Sequence, residues 1–238
     1  RFRNAGKWGY LNRDGGLVLP FEFDQAEDFS EGVAAVKAAG AWCYIDRKGR
    51  RRLTAEQIAG LNGGEFRVLS LGTFSEGRAN VLGPAGWQYI DRGGRVIGDS
   101  TYLVAQRYSG GVAKVVLVPH GWYPATSPHF GVPDDGGDVF REMQPQSVSA
   151  PLEFGLIDRN GMELIRMQCT EFERLCDPLV AARTGAEWRV YDWTGRQVSG
   201  RVFTQVGKVN EWLFYGAHDG NDGWYRADAT PVFCVSHR

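Results

Sequence analysis

Nowhere in this 238-residue chain do apolar residues run for the roughly 20 positions that a membrane-crossing helix needs, so insertion by such a helix is not expected. A one-signed charge surface is also missing. The 27 Lys and Arg are interspersed with 28 Asp and Glu, for a formal charge of −1, and no basic stripe marks a nucleic-acid partner. Cysteine is sparse. Cys43, Cys169, Cys176 and Cys234 include no CxxC pair, which argues against a zinc site. Four scattered thiols in a chain of this size fit a reducing compartment better than a disulfide scaffold. Catalytic signatures are lacking too: no GxSxG, no HExxH, no GxxxxGK[ST], and no GxGxxG leading into a helix. The chain opens on Arg1 without a signal-like segment, which leaves the compartment open.

What the chain has in quantity is glycine and aromatic residues: 32 Gly, 8 Trp, 9 Tyr and 13 Phe. Many glycines call for tight turns, and many aromatics for strands with large side chains to pack. Their positions are periodic. A first block reads WGYLNRDG from Trp8, WCYIDRKG from Trp42, WQYIDRGG from Trp87 and FGLIDRNG from Phe154, then WRVYDWTG from Trp188 and WYRADATP from Trp224. A second block, FSEGVA from Phe29, FSEGRA from Phe74 and YSGGVA from Tyr108, has fainter copies at Leu175 and Val209. Successive first blocks are 34, 45, 67, 34 and 36 residues apart. The underlying period is therefore 34, lengthened by insertions, and a fixed period of this size is the mark of a repeat architecture.

Each repeat reads as a β-meander. The aromatic at position one and Tyr or Leu two residues later follow the two-residue period of a strand. Asp or Asn four residues after the aromatic, and Gly three further on, are hairpin chemistry: an Asx oxygen to accept from the turn and a residue for positive φ. The FSEG block turns the chain again into a third strand, Val33 to Lys37 in the first repeat. Three short strands cannot bury their own faces, so the units must stack. The expected fold is all-β: one domain over 1–238, a tandem array of about six short antiparallel three-stranded meanders. An open twisted array is favoured, with a closed propeller-like ring as the alternative.

Lys7-Trp8-Gly9-Tyr10, the aromatic-x-x-(Ile/Leu)-Asp blocks and the FSEG-(Val/Arg)-Ala segments resemble the WG (KWG) repeat family of bacterial proteins. Cys43, Gln88 and Arg189 depart from its second-position glycine. The resemblance implies a β-rich array and leaves activity open, because fold does not fix function. It also makes the bacterial cytoplasm the favoured location, with the periplasm as the alternative.

Two insertions interrupt the period. Near 51–60, Thr54 with Gln57 fits a capping box and Gly60 a stop, which predicts one or two helical turns. Residues 118–151 hold six of the ten prolines together with His120, Trp122, Tyr123, His129 and Phe130. Long loops of this kind are where contact residues concentrate, and Trp and Tyr are interface anchors. Trp193 and Trp212 lie outside the repeat's aromatic slot and join the loop residues as candidate contacts, whereas the slot tryptophans are read as packing. The repeated acids Asn12, Asp46, Asp91, Asp158, Asp192 and Asp228 are read as turn caps before calcium ligands.

The expected function is a non-catalytic protein–protein interaction module without cofactor or metal. In its sharper form it is an immunity-type protein that binds and neutralises a bacterial toxin or effector. The alternatives are a carbohydrate- or peptidoglycan-binding module and a metal-dependent enzyme built on His120, His129, Asp134, Asp135 and Asp138. The oligomeric state stays open.

Overall fold

A computed structural model describes residues 1–64, 66–117 and 153–236. They group into two units, one holding the described residues up to 117 with Arg159–Met162, the other holding 153–158 and the described residues from 163 on.

Twelve strands build the first unit. Strands β1 (Phe2–Asn4), β2 (Lys7–Leu11) and β3 (Leu17–Phe23) form one antiparallel meander. Strands β4 (Gln25–Ala26), β5 (Val33–Ala38), β6 (Ala41–Asp46) and β7 (Arg51–Thr54) form the next, and helix α1 (Ala55–Leu61) follows. Strands β8 (Ser70–Leu71), β9 (Arg78–Gly83), β10 (Gly86–Asp91), β11 (Val96–Ala105) and β12 (Val112–Leu117) then pair in chain order. In the second unit, β13 (Glu153–Asp158) and β14 (Glu163–Gln168) make a hairpin. Strands β15 (Glu171–Arg174), β16 (Leu179–Thr184) and β17 (Glu187–Asp192) make a three-stranded sheet. Strands β18 (Gln205–Lys208), β19 (Leu213–His218), β20 (Asn221–Arg226) and β21 (Pro231–Ser236) make a four-stranded one. The fold is thus all-β but for α1, in several small antiparallel sheets, and none of them closes on itself among the described residues.

The sheets do not coincide with the sequence repeats. The β4–β7 and β18–β21 sheets each begin with a strand just before a second block and end after the next repeat's Asp turn, so these junctions between repeats lie inside a sheet. Covalent and hydrogen-bonded continuity between neighbouring repeats follows. Both turns behave as their residues dictate. Asn12 Oδ1 accepts from the N–H groups of Asp14 and Gly16, and Asp46 Oδ1 from Lys48 and Arg50. Asp91 accepts from Gly93 and Arg95, and Asp192 from Thr194 and Arg196. These acids are turn caps.

The FSEG block closes a two-residue turn with Ser30 and Val33 exchanging both backbone bonds, repeated at Ser75–Arg78. Its Glu31 and Glu76 stand at φ +52° and +53°, in the left-handed region that a Cβ disfavours. The compensation lies in the neighbouring repeats. The Glu31 carboxylate accepts from the Gly77 N–H at 3.1 Å and from Arg92 at 2.7 Å. The Glu76 carboxylate accepts from Gly110 and Gly111 N–H at 2.6 and 2.8 Å, and from Arg159 at 2.8 Å. Each such glutamate ties its own turn to the next FSEG turn and to the Arg of the Asp turn one repeat further on.

A third recurring link explains the spacing between the two blocks. Tyr10, Tyr44 and Tyr89 donate to the carbonyls of Glu27, Gly72 and Gln106, each two residues before the second block's aromatic. Their rings pack on that aromatic: Phe29 at 4.7 Å, Phe74 at 4.7 Å and Tyr108 at 4.9 Å between centroids. Gly9, the glycine of the WG pair, faces Leu19 O and Phe21, and a Cβ there would stand 2.9 Å from that carbonyl.

Candidate functional site

Five of the sequence-derived candidates, His120, Trp122, Tyr123, His129 and Phe130, lie outside the described residues. Of the other two, Trp193 is half-buried, its indole Nε1 is enclosed, and the Arg174 guanidinium lies 5.4 Å from its ring centroid. It is a stacking partner within its own sheet region. Trp212 projects from the turn before β19 and is 76% exposed. Asn210 holds that turn, its Oδ1 accepting from the N–H groups of Trp212 and Leu213.

The register of the last sheet brings a further set of aromatics together. Tyr215, Trp224 and Phe233 are direct cross-strand partners on β19, β20 and β21, so they form one row across one face. Trp224 is 47% exposed and Phe233 60%, with Val235 exposed beside them. Asp222 and Arg226, two residues either side of Trp224 on β20, share that face and give it a charged rim. Tyr215 bonds to Asp222; its hydroxyl is held above the ordinary tyrosine range by burial and by that bond. The opposite face of the same sheet carries Phe214 and Tyr225, which are buried in the core with Phe203 and Trp188.

Trp224 was expected to pack like the other slot tryptophans, and it is exposed instead. Trp8 packs against the core that holds β5 and β6, Trp42 joins a core with Leu71 and Val81, and Trp188 one with Phe214 and Tyr225. In each case the slot aromatic faces the following sheet. By register Trp224 lies two residues past that slot: Asp222, paired with Ala217, stands where Trp42, paired with Lys37, stands in β6, and Trp224 takes the place of Tyr44. The position that is the buried Tyr44 or Val190 in those repeats is here the exposed Trp224, flanked on its face by Asp222 and Arg226. This face therefore combines an aromatic centre with charges where the other repeats are apolar throughout.

Sequence reasoning passed over Tyr215 and Phe233 because neither belongs to a repeat block. The alternation Trp224–Arg226 against Gly223–Tyr225 was the available signal that Trp224 faces outward.

No group of three or more His, Cys, Asp and Glu is placed to hold a metal among the described residues. Among those residues no helix is long and apolar enough to cross a membrane.

Residues 8–42 match the family described as WG containing repeat. That segment is a WG repeat. The matched segment runs from the first slot tryptophan to the second, one full period of the WG array. No curated protein matches the chain. Among solved structures it is similar to a eukaryotic initiation factor, at 10% identity and a TM-score of 0.49 over 98% of this chain and 61% of that one. It is also similar to Kluyveromyces lactis Hsv2p, at 10% identity and 0.43 over 87% and 63%. A third likeness is to the WD40 β-propeller domain of Doa1, at 7% identity and 0.38 over 91% and 69%. At these identities the likeness is one of fold.

Proposed function

We propose that this WG-repeat chain is a non-catalytic protein-binding module and that the Tyr215–Trp224–Phe233 face is a contact surface. One observation carries the reading: Tyr215, Trp224 and Phe233 make one aromatic row, exposed at Trp224 and Phe233 and rimmed with Asp222 and Arg226. An aromatic centre with a charged border is the composition of a partner-binding patch, and it differs from the uniformly apolar faces inside the array. The sharper form, that the partner is a bacterial toxin which the chain neutralises, rests on the sequence expectation of a compact non-catalytic β-protein, and it predicts tight one-to-one binding.

The test is affinity capture of the tagged chain from native lysate beside two variants. Trp224→Ser with Phe233→Ser alters the proposed patch, and Met162→Ser is a control at another exposed apolar side chain. A stoichiometric partner retained by the control and lost with the double variant is the expected result. No partner with any of the three overturns the reading. Quenching of tryptophan fluorescence by peptidoglycan fragments would then point to a carbohydrate-binding module.

A further inference from the structure

The β6–β7 hairpin carries five cations in six positions, Arg47, Lys48, Arg50, Arg51 and Arg52, and all five are exposed. Over the whole chain positive and negative charges nearly cancel, so this excess is local. The fold accounts for part of it. The N–H and Nε–H groups of Arg50 donate to the Asp46 carboxylate, and Arg196 repeats both bonds with Asp192, so an Arg at that place belongs to the turn. Arg47 has counterparts in Arg92 and Arg159, which hold Glu31 and Glu76.

The other three cations have no counterpart. Ile45 pairs with Arg51 as Leu11 pairs with Leu17, Ile90 with Val96 and Tyr225 with Pro231, which aligns the hairpins residue by residue. The pairs Ile157 with Glu163 and Tyr191 with Gln197 extend the alignment to the remaining two. In this register the place of Arg52 is held by Val18, Ile97, Leu164, Val198 and Val232, all apolar. The place of Lys48 is held by Asp14, Gly93, Asn160, Thr194 and Asp228, and no other repeat has a cation there or at the place of Arg51. Five repeats form the hairpin without these three charges, so neither the turn nor the strand requires them.

Their compensation within the chain is incomplete. Asp46 holds Arg50 and Arg52 at 2.8 and 3.2 Å. Glu56, in the first turn of α1, feels the charge of Arg51. Arg47 lies over the Phe29 ring, and among the described residues Arg47, Lys48 and Arg51 make no direct ion pair. Five cations against these two acids leave an excess of three positive charges. Like charges this close repel one another, and an anionic partner relieves that repulsion.

We propose that the β6–β7 hairpin docks an acidic segment of a protein partner, whose Asp and Glu side chains lie along Lys48, Arg51 and Arg52. Four of the five cations are arginines, whose planar fork matches a carboxylate. Turns of this type already hold carboxylates within the chain, at Asp46, Glu31 and Glu76. The hairpin exposes no aromatic ring for a base to stack on, which sets it apart from a single-stranded nucleic-acid site. The proposal rests on the reading of the chain as a protein-binding module, but it uses a surface separate from the Trp224 row. If the hairpin fails its test and capture still depends on Trp224 and Phe233, the module reading stands alone.

The test is fluorescence anisotropy of a labelled oligoglutamate peptide titrated with the full chain at low salt. Wild type is compared with the triple variant Lys48→Gln, Arg51→Gln and Arg52→Gln. A control carries Arg13→Gln, Arg166→Gln and Arg189→Gln, exposed cations elsewhere with the same total charge change. The expected result is saturable binding that the hairpin variant weakens roughly tenfold, the size of three exposed ion pairs, and that the control retains. Added salt should weaken the wild-type complex by screening. The hairpin variant should melt no lower than the control, because the fold does not need its three cations. Four results would overturn the proposal: no binding by wild type, an equal loss in the control, a hairpin variant that melts well below the control, or tighter binding of a thymidine oligonucleotide of equal charge.

Discussion

Glu76 holds a backbone angle that its side chain disfavours, because its carboxylate receives two N–H groups from the next FSEG turn and the Arg159 fork. The two effects can be separated. Glu76→Ala removes the bonds and keeps a Cβ at positive φ, with an expected loss of about 1–3 kcal/mol in urea unfolding. Glu76→Gly removes the same bonds but relieves the backbone, and should recover about 0.5–1 kcal/mol of that loss. Equal effects would mean that the angle is unstrained. Burial alone would raise the Glu76 carboxyl, but the Arg159 side chain and the Gly111 and Gly110 N–H groups hold it below the usual carboxylate range. A depressed folded pKa contributes stability that is present above the unfolded value and lost as pH falls through the folded one. The stabilities of wild type and Glu76→Ala in urea unfolding should therefore converge as pH falls. The buried tyrosines act with the opposite sign. Burial pushes Tyr10, Tyr44 and Tyr89 well above the ordinary phenol range. Their contribution is complete below pH ~10 and is lost as pH rises above it. Tyr44→Phe leaves the ring on Phe74 and strands the Gly72 carbonyl, so a loss of about 1–2 kcal/mol is expected in the same unfolding experiment. The Asp caps were legible from sequence because their partners are two and four residues away. The glutamate links were not, because Gly111 and Arg159 lie 35 and 83 residues from Glu76.

Among the elements, α1 was the most legible. Thr54 accepts from the Gln57 N–H and the Gln57 side chain accepts from the Thr54 N–H, the reciprocal pair that the motif predicts. Gly60, expected as its stop, lies inside the helix, which runs on to Leu61 and ends at Asn62. The reason is a side chain. The Asn62 amide donates to the Ile58 and Gly94 carbonyls and its oxygen accepts from Val96 N–H, so the helix ends where it is fastened to the β10–β11 turn. Thr54→Ala should cost about 1 kcal/mol, as a lost cap does. Asn62→Ala should cost more, about 2 kcal/mol, because it strands two carbonyls and one N–H. The reverse order in thermal unfolding would show that the cap, and not the fastening, holds α1. Strand edges were less legible than strand centres. Two-residue strands such as Gln25–Ala26 carry no periodic signal, and pairing with β5 alone defines them. The three strands per repeat were read correctly as local meanders, but that the sheets straddle repeats depends on long-range pairing that no single repeat encodes.

At the scale of the whole molecule, the array follows from the 34-residue period, whereas the proposed contact surface depends on where an aromatic row turns outward. Trp42 and Trp188 are core, whereas Trp224, two residues past their slot by register, is surface. The cysteines permit an independent check on this burial pattern. Cys43, Cys169 and Cys176 are buried and Cys234, on the last strand, is exposed. Burial also raises the Cys43 and Cys176 thiols, which suppresses thiolate further. A thiol reagent should therefore modify one cysteine in the native protein and all four after denaturation. Rapid native reaction of three or four would show that the sheets do not bury these positions. The most direct test of the central claim is the affinity of the captured partner, measured by calorimetry for wild type and for Trp224→Ser with Phe233→Ser. Removing two central aromatic anchors predicts a loss of about 100-fold or more, with circular dichroism unchanged. Equal affinity for the two proteins would contradict the assignment of this face as the binding surface.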